Sequence, residues 1–394
     1  MAAARAAGLS VGVLMDAVLA DPSRGHPVAG FGRAAGTLER RLYADSRLRG
    51  VGFVAACTGL PLVASCVVEH GAARRPVLQA VTTAAATWAV LGGTSLAREG
   101  EHMAGLLGAS DLDGARLRLR NLCARDAAGL DAGELARASV ESLAENASDA
   151  LVAPLLWGAV AGVPGLVVYR AANTLDAMVG YRSARYLRFG WAAARFDDAL
   201  NLLPARVTAV LAAVCAPVVG GSPQRAWRVM RRDGGAHPSP NAGRPEAAVA
   251  GALGVHLGGR NVYPGHVEDR PGLGDGPGPG VGDVRRAALL VRAVSVVATA
   301  LAVGIVLVLP PARRLIHAGL IHAGLIHIPP IQTSPRGSAR DRLPEGRPPP
   351  GAEAGPLGRL QRPARPPPPP ERRAAAGLRG DASWRTCRRT SGTP

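Results

Sequence analysis

The sequence predicts an all-α, polytopic membrane bundle in which polar helices and loops build an active site at the membrane interface. A disordered C-terminal tail is expected to follow. Three observations carry this expectation. Uncharged runs of 18, 22 and 19 residues lie at 51–68, 76–97 and 293–311, each long enough to cross about 30 Å of hydrocarbon as a helix. Hydrophobic residues make up 47% of the chain but aromatics only 4%, so the apolar content is Ala, Val, Leu and Gly, the composition of closely packed small-residue helices. Finally, Glu134, Arg137, Glu141, Glu145 and Asp149 are spaced by 3, 4, 4 and 4 residues, which puts all five on one helical face. That stripe runs into 151–169, nineteen residues without a charge. Ionisable groups entering an apolar segment of membrane length mark a functional site.

In chain order, an apolar stretch at 6–20 carries Asp16 and leads into the turn-like ADPSRGHPVAGFG. A basic amphipathic piece at 33–49 comes next. The runs 51–68 and 76–97 are joined by the short EHGAARR and read as a transmembrane hairpin. The segment 99–149 is polar, with two helices divided near 123–129. The run 151–169 contains Pro154 and a Gly-Val-Pro-Gly break. Such a break permits a re-entrant hairpin or broken helix where the exposed backbone faces protein or a water-filled cavity. That arrangement is favoured because it brings the acidic stripe and the later FDDALN segment to one mouth. A fifteen-residue apolar run at 207–221 follows, then a Gly/Pro-rich stretch, 222–286, expected to be mostly loop, and a last span at 293–311. The membrane-embedded domain is placed at 1–311. The tail, 312–394, contains the near-repeat LIHAGLIHAGLIHI and Pro/Arg-rich sequence that cannot bury a core.

The formal charge is +17, but residues from Pro310 onward hold 15 Arg against 5 acids, so about +10 belongs to the tail. What remains suits membrane loops, and nucleic acid is not expected as a partner. Five cysteines without CxxC spacing indicate neither a disulfide framework nor a zinc site. All 46 basic residues are Arg, so a Walker A lysine and a Schiff base are impossible. No HExxH, GxSxG or strand-linked GxGxxG is present. Asp16 interrupts the first apolar stretch, and no signal-peptide cleavage motif stands out.

Four clusters carry candidate chemistry. Asp21-Pro22 and His26-Pro27 form a turn in which His26 is a structural hydrogen-bonder. Glu141, Glu145, Asn146 and Asp149 lie one turn apart, and neighbouring carboxylates can share a hard cation; simple Arg137–Glu141 pairing on a wet face is the alternative. Asn173, Asp176, Arg195, Asp197, Asp198, Asn201 and Arg206 combine acid, amide and guanidinium, a set suited to a phosphorylated substrate. Arg182, Arg185 and Arg188 read as interfacial charges. In HPSPNAGRPEAAVAGALG, with His237, Ser239 and Asn241, a rigid loop opens a helix whose backbone amides can take an anion.

These segments together resemble the CobD/CbiB family of cobalamin biosynthesis, the adenosylcobinamide-phosphate synthases. The likeness covers roughly 8–310 and rests on ADPSRGHPVAGFGR, ENASD, NTLDAMVGYR, FDDALNLLPAR and HPSPNAG, in the family's order and spacing. It implies a multi-pass cell-membrane ligase with its active site on the cytoplasmic side. That enzyme joins adenosylcobyric acid to (R)-1-aminopropan-2-ol O-phosphate, using ATP and Mg²⁺, and other late corrinoid-pathway enzymes are possible partners alongside membrane lipid. Under this likeness Glu141, Glu145, Asp149, Asp176, Asp197 and Asp198 are the catalytic candidates, with Glu145, Asp149 and Asp198 for the metal. Arg125, Arg137, Arg195 and Arg206 are candidates for phosphate. Asn146, Asn173, Asn201 and Asn241 are candidates for the corrin amides, with His237 and Ser239 beside them. A transporter and a non-catalytic scaffold are the alternatives. Two features depart from the family: the Pro/Arg tail, and Ala20, where the family often has Gly before Asp-Pro.

Overall fold

The computed structural model describes residues 1–21, 25–181, 183–263 and 266–308. Arg182, the near-repeat and the tail at 312–394 lie outside the described residues. Twelve α-helices are described: α1 (Ala2–Leu19), α2 (Pro27–Leu42), α3 (Arg47–Ala72), α4 (Pro76–Val90), α5 (Gly93–Gly108), α6 (Leu112–Leu119), α7 (Ala132–Ala147), α8 (Ala153–Val179), α9 (Trp191–Cys215), α10 (Pro223–Asp233), α11 (Gly243–Leu253) and α12 (Val281–Val308). An antiparallel hairpin, β1 (Leu257–Tyr263) with β2 (His266–Leu273), is inserted before α12. Five helical segments are long and apolar enough to cross a membrane, so the chain is a helical membrane bundle.

Small residues set the packing distances. A Cβ on Gly8 would lie 2.6 Å from Thr83 Cβ, and one on Gly12 would lie 2.5 Å from Thr87 Cβ. Helices α1 and α4 therefore approach through the small-residue contact that membrane helices use in place of a hydrophobic driving force. Helices α3 and α4 follow one another as expected, but of the predicted transmembrane hairpin only α3 is long and apolar enough to cross a membrane. The 76–97 run, however, is not one span. Helix α4 ends at Val90, Leu91 is extended, and α5 starts after Gly92. Asp16 Oδ2 accepts the Thr94 N–H at 2.9 Å and so satisfies one of the donors a new helix leaves open. An uncharged run does not reveal such a break, because its cause lies on α1.

The 151–169 run folds back on itself. Gly162 has φ +69° and interrupts α8, a backbone conformation that residues with a Cβ rarely adopt. A Cβ on Gly158 would fall 2.8 Å from Leu166 Cδ2, and one on Gly165 would collide with Trp157 O. Residues eight apart touch, which a straight helix cannot do. The two arms, 153–161 and 163–179, are thus an antiparallel pair. The backbone groups freed at the tip are satisfied by charges from neighbouring helices. Arg5 donates to Gly158 O and Ala159 O, both at 3.1 Å, while Glu69 Oε2 accepts the Val163 N–H at 2.9 Å. This is the condition for breaking a helix at membrane depth.

The apolar run at 207–221 comprises the end of α9, whose first half carries FDDALN, and a 3₁₀ turn, Ala216–Val219. The region 222–286, expected to be mostly loop, instead supplies α10, α11 and the β-hairpin. Ser222 Oγ accepts the Arg225 N–H at 3.3 Å and caps α10, whose Ala226, Val229 and Met230 form a buried face. Helix α11 is buried along its whole length. Its Gly251 lies close enough to α10 that a Cβ would be 2.7 Å from Ala226 Cα. Arg and Gly punctuation hides these short helices from periodicity.

Candidate functional site

The acidic stripe on α7 divides among three tasks. Glu134 completes a capping box: Glu134 N–H donates to Asp131 Oδ1 at 2.8 Å, and Asp131 N–H donates to Glu134 Oε2 at 3.0 Å, which satisfies two donors of the first turn. Arg137 and Glu141 hold the β-hairpin. Glu141 accepts from Arg125 at 2.5 Å, from Gly258 N–H at 2.8 Å and from Arg137 at 3.4 Å. Arg137 also donates to Gly258 O, to Asn261 Oδ1 at 3.0 Å and to Arg260 O at 3.0 Å. Burial by itself would lower the Arg125 guanidinium, but Glu141 beside it raises it overall. Only Glu145 and Asp149 reach a cleft. Past Ala147 the helix widens into a π turn, Ser148–Val152, a distortion often found at functional sites.

That cleft is open to solvent and holds a cavity of about 100 Å³. Its walls come from four segments: Glu145, Ser148 and Asp149 from α7 and the π turn, Asp176 from the second arm of α8, Asp197, Asp198 and Asn201 from α9, and Ser239 and Asn241 from the loop before α11. Amides tie the acids together. Asn173 Nδ2 donates to Asp149 Oδ2 at 3.3 Å and lies 3.5 Å from Asp197 Oδ1. Asn201 Nδ2 donates to Asp197 Oδ2 at 2.9 Å, and its Oδ1 accepts from the Tyr169 hydroxyl at 2.8 Å. Asn241 Nδ2 donates to Asp198 O at 2.8 Å. Arg195 pairs with Asp198 at 3.1 Å on the exposed rim. Neither Glu145 nor Asp176 makes a side-chain hydrogen bond or close ion pair among the described residues.

Other candidates sit elsewhere. Asn146 donates to Ser142 O at 2.8 Å on its own helix. Arg206 is likewise turned to Leu202 O at 2.6 Å and is exposed. Arg125, Arg137 and Glu141 belong to the hairpin clamp. His237 lies behind the cleft wall: its Nδ1 accepts the Ser239 N–H at 3.0 Å and its Nε2 is 3.8 Å from Glu246 Oε1. Outside the cleft, His26 caps α2 through Val28 N–H at 3.1 Å and lies 3.2 Å from Asp21. Arg185 pairs with Glu39 at 2.9 Å over the Tyr43 ring.

Sequence reasoning missed Ser148, Glu246 and Arg270. Ser148 stands inside ENASD and was legible there. Glu246 is fully buried with Arg270 Nη1 at 3.8 Å. Burial, then Glu145 and Glu141, push its carboxyl well above the usual carboxylate range. Burial and then Arg270 hold His237 down to about 4, so its imidazole is neutral at neutral pH. Nothing in the sequence places Arg270, some two dozen residues further on, beside them.

Among the described residues no three His, Cys, Asp or Glu side chains form a ready-made metal site. The donors in the cleft are nonetheless hard oxygens. They fit an ion such as Mg²⁺, which typically takes one or two carboxylates and completes its shell with substrate phosphate and water.

Residues 9–291 match the family model described as CobD/Cbib protein. The chain is 54% identical over 303 residues to the cobalamin biosynthesis protein CobD of Mycobacterium tuberculosis (strain ATCC 25618 / H37Rv), covering 77% of this chain and 96% of that protein. It is 45% identical over 268 residues to the protein of that name from Geobacter metallireducens, covering 67% and 84%. For Rhodobacter capsulatus the identity is 41% over 295 residues, covering 72% and 90%. No solved structure matches.

Proposed function

Since the chain belongs to the CobD/Cbib protein family, we propose that it works in cobalamin biosynthesis as the ligase joining adenosylcobyric acid to (R)-1-aminopropan-2-ol O-phosphate. The observation that carries this reading is the cleft itself, where five carboxylates from α7, the π turn, α8 and α9 face one space. Amide formation from a carboxylate needs its oxygen converted to a leaving group. In the proposed sequence that oxygen attacks the γ-phosphorus of ATP and ADP departs. The alkylammonium first gives one proton to a carboxylate, the freed amine attacks the acyl carbon, and phosphate leaves as the second nitrogen proton passes to the protein.

The residues divide this work by their partners. Asp149 and Asp198 would hold the divalent ion, which when bound neutralises phosphate charge. Glu145 and Asp176 have no competing hydrogen bond and accept the amine proton. Arg195 on the rim offers the guanidinium nearest the carboxylates for phosphate oxygens. The cleft is far too small for the corrin macrocycle, so the macrocycle lies over the mouth and only the reacting arm and the amine phosphate reach the carboxylates. The direct test is incubation of detergent-purified protein with adenosylcobyric acid, the amine phosphate, ATP and Mg²⁺. Mass spectrometry is expected to find adenosylcobinamide phosphate together with stoichiometric ADP. Absence of amide from a folded, substrate-binding preparation refutes the reading.

A further inference from the structure

Two neutral polar groups in this acidic cleft stand without partners. Ser148 is 2% exposed, and its hydroxyl has no hydrogen-bond partner among the described residues. Buried helical hydroxyls elsewhere return their proton one turn back: Thr87 to Thr83 O at 2.8 Å, Ser139 to Leu135 O at 2.7 Å and Thr208 to Pro204 O at 2.8 Å. That is the ordinary resolution for a buried Ser or Thr in a helix. Ser148 opens the π turn and lines the cleft instead. Asn241, from the loop before α11, is 8% exposed. Its Nδ2 is committed to Asp198 O at 2.8 Å, which fixes the amide and leaves Oδ1 as the unpartnered atom. An amide oxygen can only accept.

The rest of the cleft's polar lining consists mainly of acceptors: Glu145, Asp149, Asp176, Asp197 and Asp198. A ligand that satisfies this set must bring several donors and positive charge. An alkylammonium group brings three N–H donors and no acceptor, whereas a carboxylate or phosphate brings the opposite. We infer that Ser148 Oγ and Asn241 Oδ1 seat the amino group of the amine substrate, orienting it among the carboxylates and selecting an amine over a hydroxyl. The inference rests on the amide-forming reading above and adds residues that discriminate the nucleophile.

The test is equilibrium binding, without ATP or Mg²⁺, to the full chain in detergent. The probes are 1-aminopropan-2-ol O-phosphate and the propanediol phosphate that carries a hydroxyl in place of the amine. Wild type is expected to prefer the amine by at least about tenfold, the order expected of a hydrogen bond to a charged group. Ser148→Ala is expected to lower that preference about tenfold while leaving the hydroxyl compound's affinity unchanged. Asn241→Ala repeats the effect from a different segment, so a folding defect in one variant leaves the other to decide. Equal binding of both probes by wild type, or full preference in both variants, overturns the amine seat and leaves the ligase reading standing. Binding of neither probe by folded wild type overturns both. Loss of Mg²⁺ binding in Ser148→Ala with the amine preference intact assigns the hydroxyl to the metal and also overturns the seat.

Discussion

Replacing Gly162 by Ala attacks the turn on which the cleft depends. At φ +69° a residue with a Cβ carries a strain of about 1–3 kcal/mol. The new Cβ would also stand 2.5 Å from Glu69 Oε2 and 2.7 Å from Oε1, so the carboxylate must leave the Val163 N–H it now accepts at 2.9 Å. A buried donor left open costs about 1–3 kcal/mol more. The sum, about 2–6 kcal/mol, is a large part of an ordinary protein's stability of about 5–15 kcal/mol. Thermal unfolding in detergent should show a fall of about 4–24 °C, taking about 2–4 °C per kcal/mol for a chain of this order of size. Glu69→Gln keeps a side-chain oxygen to accept the same N–H and should lose less. Should Gly162→Ala melt within about 1 °C of wild type, a shift matching the scatter of ordinary surface substitutions, the hairpin turn described here is not the structure of the protein.

Four further outcomes follow from the same contacts. Ala20 sits at φ +53°, so Ala20→Gly should raise stability by about 1 kcal/mol, the strain relieved less the entropy glycine adds to the unfolded chain; an unchanged or lower melting temperature contradicts this. His237 is held down to about 4 from an ordinary 6.5, so the unfolded chain takes the proton first as pH falls. The stability present above pH 6.5 is therefore lost between 6.5 and 4, by up to about 3 kcal/mol, and melting curves at pH 7 and 5 should show a drop that His237→Gln lacks. Glu141→Gln leaves Arg125 buried without its counter-charge and should cost about 3–5 kcal/mol, seen as a denaturation midpoint shift. In the mass-spectrometric assay of amide formation Asp149→Asn should abolish product, while Arg206→Gln, whose guanidinium is turned to its own helix at Leu202 O, should stay within about twofold of wild type, within the scatter expected of a surface change.

The apolar runs, the acidic stripe and the Gly-Val-Pro-Gly break were readable because each is local: one residue type, one period or one punctuating pair suffices. From them came the membrane bundle, the folded-back pair, and Glu145 and Asp149 as residues of interest; Asp176, Asp197 and Asp198 came from the acid, amide and guanidinium cluster further along the chain. Five members of one helical face looked equivalent in the sequence. The fold assigned Glu134 to a cap, Arg137 and Glu141 to the β-hairpin, and only Glu145 and Asp149 to the cleft. Those assignments turn on Gly258, Asn261 and Arg125, which reach the stripe from distant parts of the chain. The same holds for α4, cut short where Asp16 reaches Thr94, and for Glu246, buried against His237 and Arg270. Periodicity records which way a side chain leaves its own element. What stands opposite it is decided when elements pack, and a hydrogen bond or ion pair needs both groups within about 3–4 Å.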